Sequence, residues 1–201
     1  LFLGKMPDGK KIAVKKLKMD RPKSKIHQQL AAEVKGLSSY KHENLMALIG
    51  FCDDDVNYCI VYEYLPGGNL EDALKHWVSE RRISIAVCTA RAIVHLHTHK
   101  STPLIHRDIK TANILLDANM TPKLGDFGLA RLGPDSDEFT HDVTKNVIGT
   151  TVYMSAEYKR GTVSVKLDAY SYGVVRKWKQ ECFMLNLCKG SAGVVERPEG
   201  F

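Results

Sequence analysis

The chain has 201 residues, is 44% hydrophobic and carries 29 basic against 23 acidic side chains, a net charge of +6. That length and apolar content suffice for one large or two small lobes. No apolar run is long enough to span a membrane, no signal peptide is present, and the basic excess lacks the interleaved aromatics of a nucleic-acid surface.

In chain order, "LFLGK" and "KKIAVKKL" flank "MPDG", a Pro-Gly turn, and predict a hairpin. A basic loop to about Lys25 follows. "IHQQLAAEVKGLSSY" places Ile26, Leu30, Val34 and Leu37 on one helix face. "LMALIGFC" and "YCIVYEYL" then predict a second hairpin around an acidic turn. "PGGN" at 66–69 is the strongest internal breaker, and Asn69 is placed to cap the helix beginning "LEDAL". The next helix is expected to use Ile83, Ala86, Val87, Ala90, Ile93, Val94 and His97 as its core face. "NILLD" and "PKLGD" predict a small hairpin, and "RLGPDSDEFTHDVTKN" a mobile loop without period.

Five cysteines (Cys52, Cys59, Cys88, Cys182, Cys188) form no C-x2-C pair, which argues against a zinc site or disulfide framework and fits a reducing compartment. His95, His97 and His99 lie at every second position. On a helix they point in different directions, which argues against a metal site there.

Between apolar ends, "LIHRDIKTANILLD" (104–117) places His106, Arg107, Asp108 and Lys110. Apolar flanks predict a loop pinned at both ends with its polar centre in a cleft. His106 is read as a packed core residue rather than an acid–base group. Together with "DFG" at 126–128 the loop offers the inventory of phosphoryl transfer. One carboxylate accepts the proton of an attacking hydroxyl, a lysine meets the transferred phosphate, and a carboxylate and an amide oxygen hold magnesium. Lys15 in "IAVKK" is the candidate for the nucleotide phosphates, and Glu33 the carboxylate to hold it.

"IAVKKL", Glu33, "HRDIKTANILLD", "DFGLAR", "GTTVYMSAE" and "DAYSYGVV" occur in the order and rough spacing of eukaryotic protein kinases, and over residues 1–175 the chain resembles that family. "KHENLMALIGF", "CIVYEYLPGGNL" and Tyr62 resemble in particular the interleukin-1-receptor-associated kinase and Pelle group, with plant receptor-like kinases as close relatives. The resemblance implies an α+β, bilobal protein-kinase-like fold, incomplete, with a partial N-lobe at 1–65 and a partial C-lobe at 66–175. It implies Asp108 as base, Lys110 as phosphate-stabilising lysine, and Asn113 and Asp126 as magnesium ligands. It further implies Lys15 and Glu33 as the ATP-lysine ion pair, Ala13 and Leu115 above and below adenine, Tyr62 as gatekeeper, and Glu63 and Leu65 as linker. ATP and Mg2+ follow as cofactors, and a protein carrying Ser or Thr as substrate, with Thr150 touching base and lysine. Arg107 is expected to bind a phosphate on the activation loop, at Thr144 or Thr140. Toll/interleukin-1-type innate immune signalling, a cytoplasmic site and an adaptor complex through a domain outside this chain are the implied setting. The alternatives are an inactive kinase fragment or scaffold, or a plant receptor-like kinase relative.

Three departures stand out. The glycine-rich phosphate loop that should precede "LFLGK" is missing. "SAE" replaces A-P-E and leaves Glu157 as a buried acid without its arginine. After Val175, Arg176, Lys177 and Lys179 fall where the family has a buried helix, so 176–201 is read as a non-family tail, a gene-model or splicing artefact.

Overall fold

The computed structural model describes residues 1–190 except 21, 55–56, 76–78, 134–141 and 145–146. β1 (Phe2–Lys5) and β2 (Lys11–Lys16) form the first hairpin, and its turn closes through Met6 N–H to Lys10 O and Gly9 N–H to Met6 O. Gly9 takes φ +87° there, a conformation open to glycine. α1 (Lys23–Ser39) follows, then β3 (Leu48–Asp53) and β4 (Tyr58–Glu63) as the second hairpin. The four strands make one antiparallel sheet in the order β1-β2-β4-β3. Tyr58, Ile60 and Tyr62 alternate onto its buried face. α1 covers that face with Ile26, Leu30, Glu33, Gly36 and Leu37, while Val34 is only half buried.

α2 (Leu70–Ala73) is capped as expected, with Asn69 Oδ1 accepting from Asp72 N–H at 2.8 Å. α3 (Ser79–Thr98) leads to β5 (Leu104–Ile105), β6 (Ile114–Leu116) and β7 (Pro122–Leu124). β6 and β7 pair as the small hairpin predicted. The sequence 131–146 was expected to be a loop throughout. Instead β8 (Arg131–Leu132) pairs with β5, and β9 (Asp142–Val143) pairs with β10 (Thr162–Val163). Two-residue strands leave no periodic signal. α4 (Ala156–Lys159) lies between, capped by Ser155 Oγ accepting from Tyr158 N–H.

α5 (Val165–Gly190) runs on unbroken through Val175. Arg176 and Lys177 are exposed on it, so these two charges carry no burial cost there; the Lys179 side chain lies outside the described residues. Glu157 is exposed as well, and its expected desolvation cost is therefore absent.

The face of α3 differs from the prediction. Ile83, Val87 and Val94 are 65%, 45% and 57% exposed, whereas Arg82, Ile85, Thr89, Ala92, Ile93 and Leu96 are buried. The helix carries two apolar stripes, and its contacts with β7 and α5 select the second. Thr89 is tolerated inside because its hydroxyl donates to Ile85 O at 2.8 Å. His95 and His99 stack at 4.3 Å while His97 turns away to Asp168.

The segment after α1 joins the strand-rich and helical portions. Leu45 bridges Leu124, Met46 N–H donates to Leu124 O, and Asn44 Nδ2 donates to Pro122 O.

Candidate active site

β2, α1, β4 and the two loops around β6–β7 meet at one cleft lined by Ala13, Lys15, Tyr62, Leu65, Leu115 and Asp126, with Glu33 and Glu63 also on its wall. Lys15 lies in the middle of β2, Glu33 on the buried side of α1. Lys15 Nζ stands 3.1 and 3.2 Å from the two Glu33 oxygens and 2.5 Å from Asp126 Oδ1. The Tyr62 hydroxyl donates to Glu33 Oε1. Burial alone would lower the Lys15 pKa, but Glu33 and Asp126 outweigh it and hold it above the ordinary lysine value. Burial likewise works to raise Asp126, yet Lys15 holds it below the usual carboxylate range. Burial and Glu33 push the Tyr62 phenol far up, so it stays a donor. Glu63 does more than line the cleft: its Oε1 accepts from Ala47 N–H at 2.8 Å and from Lys123 Nζ at 3.2 Å.

The second cluster is built within the 106–113 loop. Lys110 Nζ donates to Asp108 Oδ2 at 2.6 Å and to Thr150 Oγ1 at 3.0 Å, and Thr150 Oγ1 donates to Asp108 Oδ1 at 3.0 Å. Gly149, at φ +130°, allows that approach: a Cβ there would meet Arg107 O at 3.0 Å. Asn113 Nδ2 donates to both the backbone oxygen and Oδ2 of Asp108 at 2.9 Å. The amide is thereby oriented, with Oδ1 left as its acceptor end.

Beneath the loop lies a residue that sequence reasoning passed over. Asp168, fully buried on α5, accepts from His106 N–H at 2.8 Å, from Arg107 N–H at 2.9 Å and from His97 Nε2 at 2.8 Å. A carboxylate inside the apolar run "KLDAYSYG" was the signal available, the same one that singled out Asp108 and Asp126. His106 is wholly buried, donates from Nε2 to Gly125 O at 3.0 Å and accepts from Asp108 N–H at Nδ1. Burial lowers its pKa and the ring is neutral, in keeping with a packed core residue. Phe127 packs edge-on against His106 at 4.7 Å and lies under Gly36 of α1, where a Cβ would meet it at 3.0 Å. So α1 rests on the loop network through one aromatic ring.

Arg107 holds φ +70° and directs its guanidinium to the Tyr158 hydroxyl, at 2.9 and 3.2 Å. That hydroxyl in turn donates to Ile148 O at 2.8 Å. Thr144 donates its N–H to Gly161 O at 2.7 Å; Thr140 lies outside the described residues.

A divalent cation can be tested against these donors. Asp126 and Asn113 supply a carboxylate and an oriented amide oxygen, hard oxygen ligands of the kind magnesium takes. Among the described residues no group of three His, Cys, Asp or Glu converges as a metal site of its own. No described helix is long and apolar enough to cross a membrane.

Comparison with known proteins agrees with this geometry. The protein kinase domain family model matches residues 3–177. The chain is 42% identical over 183 residues to the probable serine/threonine-protein kinase PBL21 of Arabidopsis thaliana, covering 87% of this chain and 47% of that protein. Probable serine/threonine-protein kinase PBL22 of the same plant is 38% identical over 209 residues, 100% of this chain and 52% of its own length. Receptor-like protein kinase HERK 1, also from Arabidopsis thaliana, is 40% identical over 184 residues, 87% of this chain and 21% of its own. The chain thus spans about half the length of the first two and about a fifth of the third. A match that runs through the sheet, the loop network and α5 alike makes this chain a member of the protein kinase domain family.

Proposed function

We propose that the protein transfers the γ-phosphate of ATP to a serine or threonine hydroxyl of a protein substrate. The observation that carries this reading is the Asp108–Lys110–Thr150 triangle, braced by Asn113, together with a cleft in which Lys15 is held on Asp126. In this reading Asp108 accepts the hydroxyl proton and orients the nucleophile. Lys110 meets the phosphoryl group in flight, and Thr150 fixes the distance between the two. Lys15 holds the nucleotide phosphates, with its ammonium fixed by Glu33, which itself accepts from the Tyr62 hydroxyl. Ala13 and Leu115 face the base, and the Glu63–Leu65 linker its edge. Asp126 and Asn113 would hold a divalent cation, magnesium in the family's chemistry, which shields phosphate charge when bound. Catalysis in such a site rests on positioning and charge, and every polar group named here is already held by a second one.

The relatives' names support a receptor-like kinase setting, the plant alternative weighed from the sequence. The Toll/interleukin-1 setting, with its adaptor complex, draws on Tyr62 and on motif words that both groups share.

Incubation with radiolabelled Mg·ATP and a generic Ser/Thr-rich protein is the test, with Asp108→Asn beside it. Label on serine or threonine that the variant loses is the expected result; no transfer by the parent chain sinks the reading. The alternative weighed from the sequence is an ATP-binding scaffold without transfer. It predicts thermal stabilisation by Mg·ATP, absent in Asp126→Ala, with no label transferred.

A further inference from the structure

The β3–β4 hairpin brings two cysteines together. Asp54 and Asn57 exchange both backbone hydrogen bonds at 3.2 Å, and two residues outward the strand register sets Cys52 directly opposite Cys59. Residues at such a hydrogen-bonded pair have Cα atoms about 5.5 Å apart. Disulfides form at Cα separations of about 4.4–6.8 Å, so the backbone already has the spacing a bridge requires. Directly opposite residues also share a face of the sheet. Tyr58 and Ile60 turn inward to α1, which leaves Cys59, and with it Cys52, on the outer face. Both are free thiols and both are partly exposed.

We infer that Cys52 and Cys59 are a thiol modification site, closing to a reversible cross-strand disulfide by exchange with a small disulfide such as oxidised glutathione. One cysteine thiolate attacks a sulfur of the glutathione disulfide; that S–S bond breaks and one glutathione leaves. The second cysteine then attacks the protein sulfur of the mixed disulfide, the Cys52–Cys59 bond forms, and the second glutathione leaves. The two cysteine protons end on the two glutathiones, and two electrons pass from protein to oxidant. A bridge exposed to solvent is open to the reverse exchange.

Asp54 sets the pace. Cys52 Sγ lies 3.5 Å from Asp54 Oδ2. The Asp54 backbone N–H favours the thiolate, but burial and the Asp54 carboxylate outweigh it and keep Cys52 protonated above the ordinary thiol value. The neighbouring register pair, Asp53 and Tyr58, holds His27 of α1 at 3.4 and 3.1 Å. Closure therefore acts one step away from the helix that carries Glu33. The inference stands independently of the phosphoryl-transfer reading.

The chain is equilibrated in buffers of graded reduced-to-oxidised glutathione ratio, quenched by alkylation, digested and analysed by mass spectrometry. A Cys52–Cys59 crosslink should accumulate toward the oxidising end and vanish on adding dithiothreitol. Cys52→Ser and Cys59→Ser should each stop at a glutathione adduct on the remaining cysteine, and Asp54→Asn should close several-fold faster. Full alkylation of both thiols at every ratio overturns the proposal. So do stable adducts on both without a crosslink, or a crosslink from either to Cys88. Asp54→Asn closing no faster would overturn the role given to Asp54. The parent-chain result decides the matter even if a serine variant fails to fold.

Discussion

Two clusters of polar side chains make up the candidate site, and they are held together differently. Lys15, Glu33, Tyr62 and Asp126 come from four separate stretches, and the Lys15–Asp126 contact spans 111 positions of sequence. Asp108, Lys110 and Asn113 come from a single loop, with Thr150 added from outside and Asp168 clamped beneath. Glu33 joins the first cluster only while α1 stays docked on the sheet and on Phe127. The second lies mostly within one loop and rests on Asp168 of α5. A displacement of α1 would therefore take Glu33 out of the first cluster, leave Lys15 on Asp126, and leave the second standing.

The sharpest way to break this contrast is at Asp108. Asp108→Asn should lower kcat by about 10²–10⁴ as a lost general base, while the melting temperature moves little, because the amide can keep most of the local hydrogen bonds. Asp168→Ala comes next. It strands two buried backbone N–H groups and should cost about 3 kcal/mol of unfolding free energy in urea titration. Activity should fall with it, although Asp168 touches no substrate. Glu33→Gln should cost about 2 kcal/mol, since Lys15 keeps Asp126 when it loses a buried charged partner. Its signature is a raised KM for ATP with the 106–113 loop intact. If Glu33→Gln instead loosens the loop in hydrogen exchange, the two clusters are not separable as argued.

The smallest effect is one of pH. His106 has a lowered pKa in the folded chain, so the unfolded chain takes up a proton first as pH falls. Stability is fully present above the ordinary histidine value of 6.5 and declines below it toward the lower folded value. Asp126 is depressed instead: its contribution holds above the ordinary carboxylate value of 3.8 and is lost as pH falls through its folded pKa. The loop side should thus weaken in mild acid and the lysine side only in strong acid. His106→Asn should flatten the first limb and Asp126→Asn the second, read by thermal melts across pH.

Much of this was legible in the sequence because local signals dictate it. The hairpin turns, the Asn69 cap and the α1 face depend on neighbours a few residues away, and the structure has them where periodicity placed them. The site residues were legible for a different reason: charged groups inside apolar runs need a purpose. The α3 face was not legible, since the buried stripe includes Arg82 and Thr89 and only contacts with β7 and α5, distant in sequence, select it. Asp168 and Tyr158 were missed because their partners, His106, Arg107 and Ile148, become neighbours only on folding. Glu157 was expected inside by analogy of motif, and its surroundings put it outside.

The clamp at Asp168 has a consequence in time. The residues it holds, His106 and Arg107, leave the ribosome 62 and 61 positions earlier. At about 5–20 residues per second, that interval lasts roughly 3–12 s. During it the loop has its own side chains but no anchor beneath its backbone. The nascent chain therefore completes its sheet first, and its 106–113 loop must wait for α5 to arrive.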